Sequence, residues 1–368
     1  MNDELIMMMK KTTIYMGILL LLPALLSAQS RREKEKPLNV IILIGDGMGT
    51  SQLSIPYYYG KREPVFGYFG NVGLVETSSA THKITDSAAG STAMFTGRKT
   101  YNNAIGVDTD TLIRYNLTEI LSKQGYKSGV VTTASITGAT PAGFYGHASD
   151  RRMHYDIAEW LLESEVDFFA GGGLQFFLSE EGDDRFTSRN IELELERLKK
   201  IRRAEPDQRF GFLLAMDGMP SMPEGRGDFL PEATKIALDF LSENEEGFIL
   251  LVEGAQIDWA SHANDPDYLV AEMLDFEETA RVAYNFAKKD GNTVVIVTAD
   301  HETGGFSLAA SGKERYSEDY ATITPTFGTT THSATLVPLI AYGPGAEKFR
   351  GILRNTEIFF RIIELTAE

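Results

Sequence analysis

Several apolar runs rich in β-branched residues recur along the chain, break off at Gly, Asp or Thr, and give way to helical patterns. They are "NVIILIGDG" (39 to 47), "KSGVVTTAS" (127 to 135), "VDFFAGGG" (166 to 173), "GFILLVEGA" (247 to 255), "NTVVIVTADH" (292 to 301) and "TLVPLIAYG" (335 to 343). Between them lie helical patterns at 117 to 124, 155 to 164, 191 to 203, 231 to 242 and 266 to 289. Runs without polar alternation need cover on both faces. Strand and helix in alternation therefore predict a three-layer α/β/α sandwich around a large, mostly parallel central sheet. In such a fold ligands collect at the carboxyl ends of the strands. The polar stretch from Ala309 to Thr331 lacks periodicity and reads as an excursion from the sheet, a small lobe spanning 303–331.

The N-terminus is a separate matter. Lys10 and Lys11 precede an apolar stretch from Ile14 to Leu26 that ends at Ser27 and Ala28, the pattern of a secretory signal. At about 13 residues the stretch is too short for a stable membrane span. Asp3 and Glu4 are unusual before such a stretch, so Met7, Met8 or Met9 is an alternative start. The expected organisation is a signal peptide over 1–28, a solvated leader over 29–37 and a single catalytic domain over 38–368. An exported location follows, periplasmic or extracellular.

Removing residues 1–28 takes away two lysines and two acids, so the mature chain keeps the formal charge of −17. Such a surface repels nucleic acid and anionic lipid, and an anionic substrate would need a local positive site. There is no cysteine, which excludes disulfides, thiolate zinc and cysteine catalysis. Any metal must use His, Asp and Glu. "GDGMG" at the end of the first run superficially matches a dinucleotide fingerprint, but its third glycine comes one place early and Asp46 would face a pyrophosphate with like charge.

The strand-end rule gathers the remaining oddities. Asp46, Glu253 and the pair Asp300-His301 each close an apolar run, and His332 stands just before the run at 335 to 343. Asp258 and His262, four apart, share one face of a helix. These residues suffice for two three-ligand zinc sites with open positions. In "TDSAAGSTAMFTG" (85 to 97), Asp86 and the helical run after it place Ser87 at a helix N-terminus, where amide donors favour an oxyanion. A serine there needs a base or a metal to become nucleophilic. "TGATPAGFYGHASDR" (137 to 151) supplies Thr140, an oxygen ligand for a hard cation, and Arg151, a planar fork for two phosphoryl oxygens. His82, His147 and His154 read as structural or surface residues.

With "LIGDGMG", "TDSAAGSTA", "ATPAGFYGHASDR", "VEGAQIDWASH", "VTADHETGG" and "THS" all present in order, the chain resembles the bacterial and animal alkaline phosphatase family from about Leu38 to Leu365. The resemblance implies a phosphate-monoester hydrolase in which Ser87 accepts the phosphoryl group and Arg151 clamps its nonbridging oxygens. It implies one zinc on Asp258, His262 and His332, a second on Asp46, Asp300 and His301, and a magnesium on Asp46, Thr140 and Glu253. Phosphate monoesters and inorganic phosphate are the implied ligands, and monomer and homodimer both stay open. Two positions depart from common family patterns: Gly138, two before Thr140, where other members carry Asp or His, and Trp259, where some have Lys or His. A sulfatase would need a C/S-x-P-x-R context, and Ser87 is followed by Ala-Ala-Gly.

Overall fold

Residues 40 to 44 are wholly excluded from solvent, and so are residues 248 to 252. In the computed structural model, which describes residues 37–178, 191–192, 209–312 and 319–367, both segments are central strands of one ten-stranded sheet. The strands in chain order are β1 (Asn39–Gly45), β2 (Asn71–Glu76), β3 (Lys127–Ser135), β4 (Val166–Gly172), β5 (Ile191–Glu192), β6 (Phe210–Leu213), β7 (Phe248–Gly254), β8 (Thr293–Thr298), β9 (Glu302–Thr303), β10 (Ser307–Ser311), β11 (Asp319–Thr326), β12 (His332–Ser333), β13 (Val337–Tyr342) and β14 (Gly351–Arg354). The sheet runs β14-β2-β13-β8-β1-β7-β3-β4-β6-β5. Among the described strands of this sheet, β13 runs antiparallel to both neighbours and the other pairings are parallel.

The helices that matter here are α1 (Ser87–Thr96), α2 (Leu117–Ser122), α3 (Ala139–Tyr145), α4 (His154–Glu163), α5 (Phe229–Leu241), α6 (Gln256–Ala263), α7 (Pro266–Asp290) and α8 (Asn355–Thr366). Their starts are legible in local chemistry. Asp86 caps α1 by accepting from the Ala89 amide, and Asp265 caps α7 by accepting from Asp267 and Tyr268, with Pro266 in the first turn. Helices α5 and α7 pack on each other and on β1, β3, β4, β7 and β8, while α1 packs with α3 and α8. The sandwich expected from the alternating pattern is the fold observed.

Some local expectations change. Ile191–Glu192 is a short strand beside β6, not the first turn of a helix over 191–203; residues 193–203 of that segment lie outside the described residues, as does the expected signal over 1–28. The run at 335 to 343 is followed by β14 and α8, so it is not the last strand. In β14 Leu353 alone is buried, too weak a pattern to read. The 303–331 excursion contains an antiparallel ribbon of β10 and β11, and its two ends are clasped where β12 pairs with β9. Among the described residues, no helix is long and apolar enough to cross a membrane.

One buried charge cluster ties the segment between β6 and α5 to α7. Arg226, with its side chain fully buried, donates from Nη1 to Glu272 Oε1 at 3.2 Å and from Nη2 to Asp275 Oδ2 at 2.9 Å. Breaking a buried ion pair by removing one partner strands the other charge, at a cost of about 3–5 kcal/mol. Burial pushes the Asp275 carboxyl up to about 6, with Arg226 acting against it. An acid whose folded value exceeds its unfolded 3.8 costs nothing below that pH and destabilises progressively as pH rises through the interval. Arg226→Met is therefore expected to lose several kcal/mol in urea unfolding, and to lose more at pH 8 than at pH 5. An equal loss at both pH values would show that the acids are not left charged.

Candidate metal centre and nucleophile

Strand β1 ends at Gly45, and Asp46 follows it between the ends of β7 and β8. The turn that carries Asp46 needs Gly47. Its φ is +70°, and an added Cβ would come within 2.9 Å of Asp258 Oδ1 and 2.8 Å of Thr303 Oγ1. Beyond β8, Asp300 accepts through Oδ1 from the Gly47 amide at 3.2 Å and from the His301 amide at 3.1 Å. On α6, Asp258 and His262 lie one turn apart with their side chains 3.3 Å from each other. The β9–β12 clasp sets His332 opposite Thr303 and stacks it on His301, ring centroids 3.6 Å apart.

The six side chains fall into two groups, Asp258 with His262 and His332, and Asp46 with Asp300 and His301, each with ligand atoms within 4.8 Å of one another. Hydrogen bonding fixes which way their lone pairs point. His262 Nδ1 lies 2.6 Å from the Thr330 carbonyl and His332 Nδ1 lies 2.9 Å from the Thr85 carbonyl. A carbonyl only accepts, so both Nδ1 atoms carry the proton in the neutral rings, and the two Nε2 lone pairs face each other at 3.1 Å. Thr303 donates its hydroxyl to Asp258 Oδ1 at 2.5 Å, so at 3.2 Å it accepts from His301 Nδ1. That leaves His301 Nε2 as a third lone pair, 3.4 Å from Asp46 Oδ1, 3.3 Å from Asp300 Oδ2 and 3.2 Å from Ser87 Oγ.

The centre is thus richer in acceptors than in donors. Asp46 Oδ1 and Asp300 Oδ2 are buried with no hydrogen-bond partner among the described residues, and the Thr140 hydroxyl lies against the Glu253 carboxylate. Only protons or cations can satisfy such an arrangement. The charges respond accordingly. Burial, then Asp300, Asp258 and Glu253, raise the Asp46 carboxyl well above its ordinary range. Burial likewise pushes Glu253 up to about 7, despite the hydrogen bond from Thr132. The hydrogen bond to Asp258 pushes His262 up to about 9, against burial. Oxygen and imidazole donors without thiolate suit zinc, and the harder all-oxygen corner of Asp46, Thr140 and Glu253 suits magnesium.

Ser87 opens α1 and is buried, with its Oγ facing His301. Arg151 is held beside it. Asp86, besides capping α1, accepts from Arg151 Nη1 at 3.2 Å and from the Asn103 amide, while the Arg151 amide donates to the Asn103 carbonyl at 2.7 Å. The six Asp and His side chains, Ser87 and Arg151 are therefore brought together, with Glu253 near enough to act on Asp46 and Thr140 beside Glu253. Two were missed: Thr303, which links the two groups through Asp258 and His301, and Asp86 as the tether of Arg151. Both stand inside quoted motifs, yet their partners are 45 and 65 residues away in sequence. His147 is buried between Gly106 and Glu119, and His154 stacks on Phe176, in line with their exclusion from the ligand set.

The family model described as alkaline phosphatase matches residues 37–190 and 186–321. The chain belongs to the alkaline phosphatase family. It is an enzyme of that class. Alkaline phosphatase 4 of Bacillus subtilis is 31% identical, with 92% of this chain and 91% of that protein aligned. The alkaline phosphatase of Escherichia coli K12 is 28% identical over 88% of this chain and 84% of its own length. Among solved structures, the alkaline phosphatase from the Antarctic bacterium TAB5 is 47% identical with a TM-score of 0.86, covering 90% of this chain and 98% of that one. A variant of the TAB5 alkaline phosphatase has been solved with Mg bound in its M3 site.

Within this family Gly138 keeps its interest. It precedes α3 as an extended N-cap without a side chain, and a Cβ there would come 2.8 Å from the Ser135 carbonyl oxygen. An Asp or His at this place requires the backbone to shift. Trp259 leaves α6 for the rim, 43% exposed.

Proposed function

We propose that this enzyme is an exported, metal-dependent phosphate-monoester hydrolase acting through a phosphoserine on Ser87. The observation that carries the reading is the acceptor-rich centre in front of the Ser87 hydroxyl. Its donor set fits two zinc ions, on Asp258, His262 and His332 and on Asp46, Asp300 and His301, and a magnesium ion on Asp46, Thr140 and Glu253. When bound, these ions supply charge neutralisation and Lewis acidity at the transferred group. Export rests on the signal-peptide pattern in residues 1–28.

The chain's own part can be stated atom by atom. Ser87 Oγ gives up its proton and attacks phosphorus, forming the Oγ–P bond as the P–O bond to the leaving group breaks, and the departing alkoxide takes up a proton to leave as the alcohol. The N-terminus of α1 directs its amide donors and positive dipole end toward the phosphoryl oxygens. Arg151 donates to two nonbridging oxygens, and Asp86 fixes the plane of its fork before substrate arrives. Water then cleaves the Oγ–P bond, releasing inorganic phosphate and restoring the serine. A monoester presents more charge to this centre than a diester does, so the stabilisation is worth more to it.

The test is kcat/KM for p-nitrophenyl phosphate against bis(p-nitrophenyl) phosphate, in wild type and in Arg151→Lys. The monoester is expected to be strongly preferred. The lysine variant, which offers a point charge in place of a fork, is expected to lose about 1–3 kcal/mol of transition-state stabilisation on the monoester. A diester preference would overturn the function, and wild-type rates in the lysine variant would remove Arg151 from the site.

A further inference from the structure

Around the polar centre stands a rim of a different character. Trp259, next to Asp258 in sequence, is 43% exposed, and Tyr155, four residues after Arg151, is 59% exposed. Met216, in the segment after β6, is 55% exposed. Large apolar side chains exposed together are the informative exception on a soluble surface.

The rim is built and held in place. His154 stacks on Phe176 with ring centroids 4.4 Å apart and planes 15° from parallel, and Tyr155 meets the same Phe176 edge-on at 5.7 Å. Thr137, just beyond the end of β3, lies 3.0 Å from His154 Nδ1 and fixes that ring to the sheet. The segment after β6 is bonded to the turn after β4: Gly173 and Leu174 amides donate to the Ala215 carbonyl, and Gln175 donates to that of Met216. Trp259 packs on this segment, for a Cβ on Gly218 would come 2.6 Å from the outer edge of its ring. Trp259 and the His154–Phe176–Tyr155 cluster are therefore joined through the segment after β6, whose backbone bonds the turn after β4 and whose Gly218 meets Trp259. In sequence the ends of this border are Trp259, next to Asp258, and Tyr155, four residues after Arg151, which lies in the turn before α4.

A phosphoryl group seated on Arg151 and Ser87 must project its organic half out of the polar centre, and this border is the apolar surface beside it. We propose that Trp259, Tyr155 and the stacked His154–Phe176 pair bind the organic half of the ester and select monoesters that carry an aromatic ring. Offset or edge-on stacking on rings already held in place adds affinity at little ordering cost. The inference rests on the monoesterase reading above.

The test compares kcat/KM for 2-phenylethyl phosphate and n-butyl phosphate with the metal-loaded enzyme. Both release a primary alkanol of similar acidity, so the chemical step is matched and the ratio reports recognition. Wild type is expected to favour the phenylethyl ester by about tenfold, chiefly through KM. Tyr155→Ala and Trp259→Leu are each expected to bring the ratio toward one. A wild-type ratio near one, or a ratio unchanged in Tyr155→Ala, would overturn the rim while leaving the hydrolase intact. Failure of wild type to hydrolyse either ester would instead overturn the monoesterase reading itself.

Discussion

Prolonged chelation is expected to abolish monoester hydrolysis, with zinc restoring most of the rate and magnesium adding a further increment. The reason lies in the lone pairs. His262 and His332 turn their Nε2 atoms toward each other and toward Asp258, and His301 turns its own toward Asp46 and Asp300, because each Nδ1 is committed elsewhere. With the cations removed, that concentration of acceptors and negative charge would also repel a phosphate dianion. Elemental analysis should track the loss and return of activity. Thermal unfolding gives a second readout, because each ion that binds the folded state alone adds about 2.7 kcal/mol when free metal is 100 times its Kd. Full activity in verified metal-free protein would end the mechanism. An unchanged unfolding temperature would show that the acceptor set is satisfied by protons alone.

Ser87→Ala is expected to lower kcat on the order of 10⁶-fold, comparable to removal of a serine nucleophile elsewhere, and to leave the fold intact. Asp86, not Ser87, caps α1, and the hydroxyl's one hydrogen-bond partner among the described residues is His301. Acid quenching during turnover of a phosphate-labelled substrate should leave label on the wild-type peptide that contains Ser87 and none on the alanine variant. Label on another residue would move the nucleophile. Label persisting in the alanine variant would discard covalent catalysis at this position.

What the sequence disclosed depended on how local the signal was. Strands β1 and β7 are legible because residues 40 to 44 and 248 to 252 are unbroken apolar runs, and Asp46 and Glu253 stand out because a carboxylate abruptly closes each run. Helix α3 is concealed by Pro141 and Gly143, which read as breakers although α3 is wholly buried. Strand β2 is half exposed and interrupted by Gly73, so its pattern is too thin to recognise. His332 was placed at the approach to a strand, whereas its position comes from the β12–β9 clasp. Thr303 and Asp86 act through partners far along the chain, and no spacing rule encodes a contact between segments that only the sheet brings together. The aromatic border is of the same kind, assembled from α4, the turn after β4, the segment after β6 and α6.

Neither ligand group is complete on any short segment. Asp258 and His262 share α6, but His332 comes 70 residues after His262, and Asp300-His301 wait for Asp46, which β1 delivers from the other end of the chain into the slot between β7 and β8. Pairings of such sequence separation close late, after the loop entropy has been overcome. A small zinc domain can be organised by its ion because the ligands are neighbours. Here the sheet must be built before an ion finds three donors at once, so a metal held at this centre would not nucleate folding. Its influence falls on the reverse step, since the finished centre has to open before the central strands can separate: bound metal slows unfolding and leaves the folding rate alone.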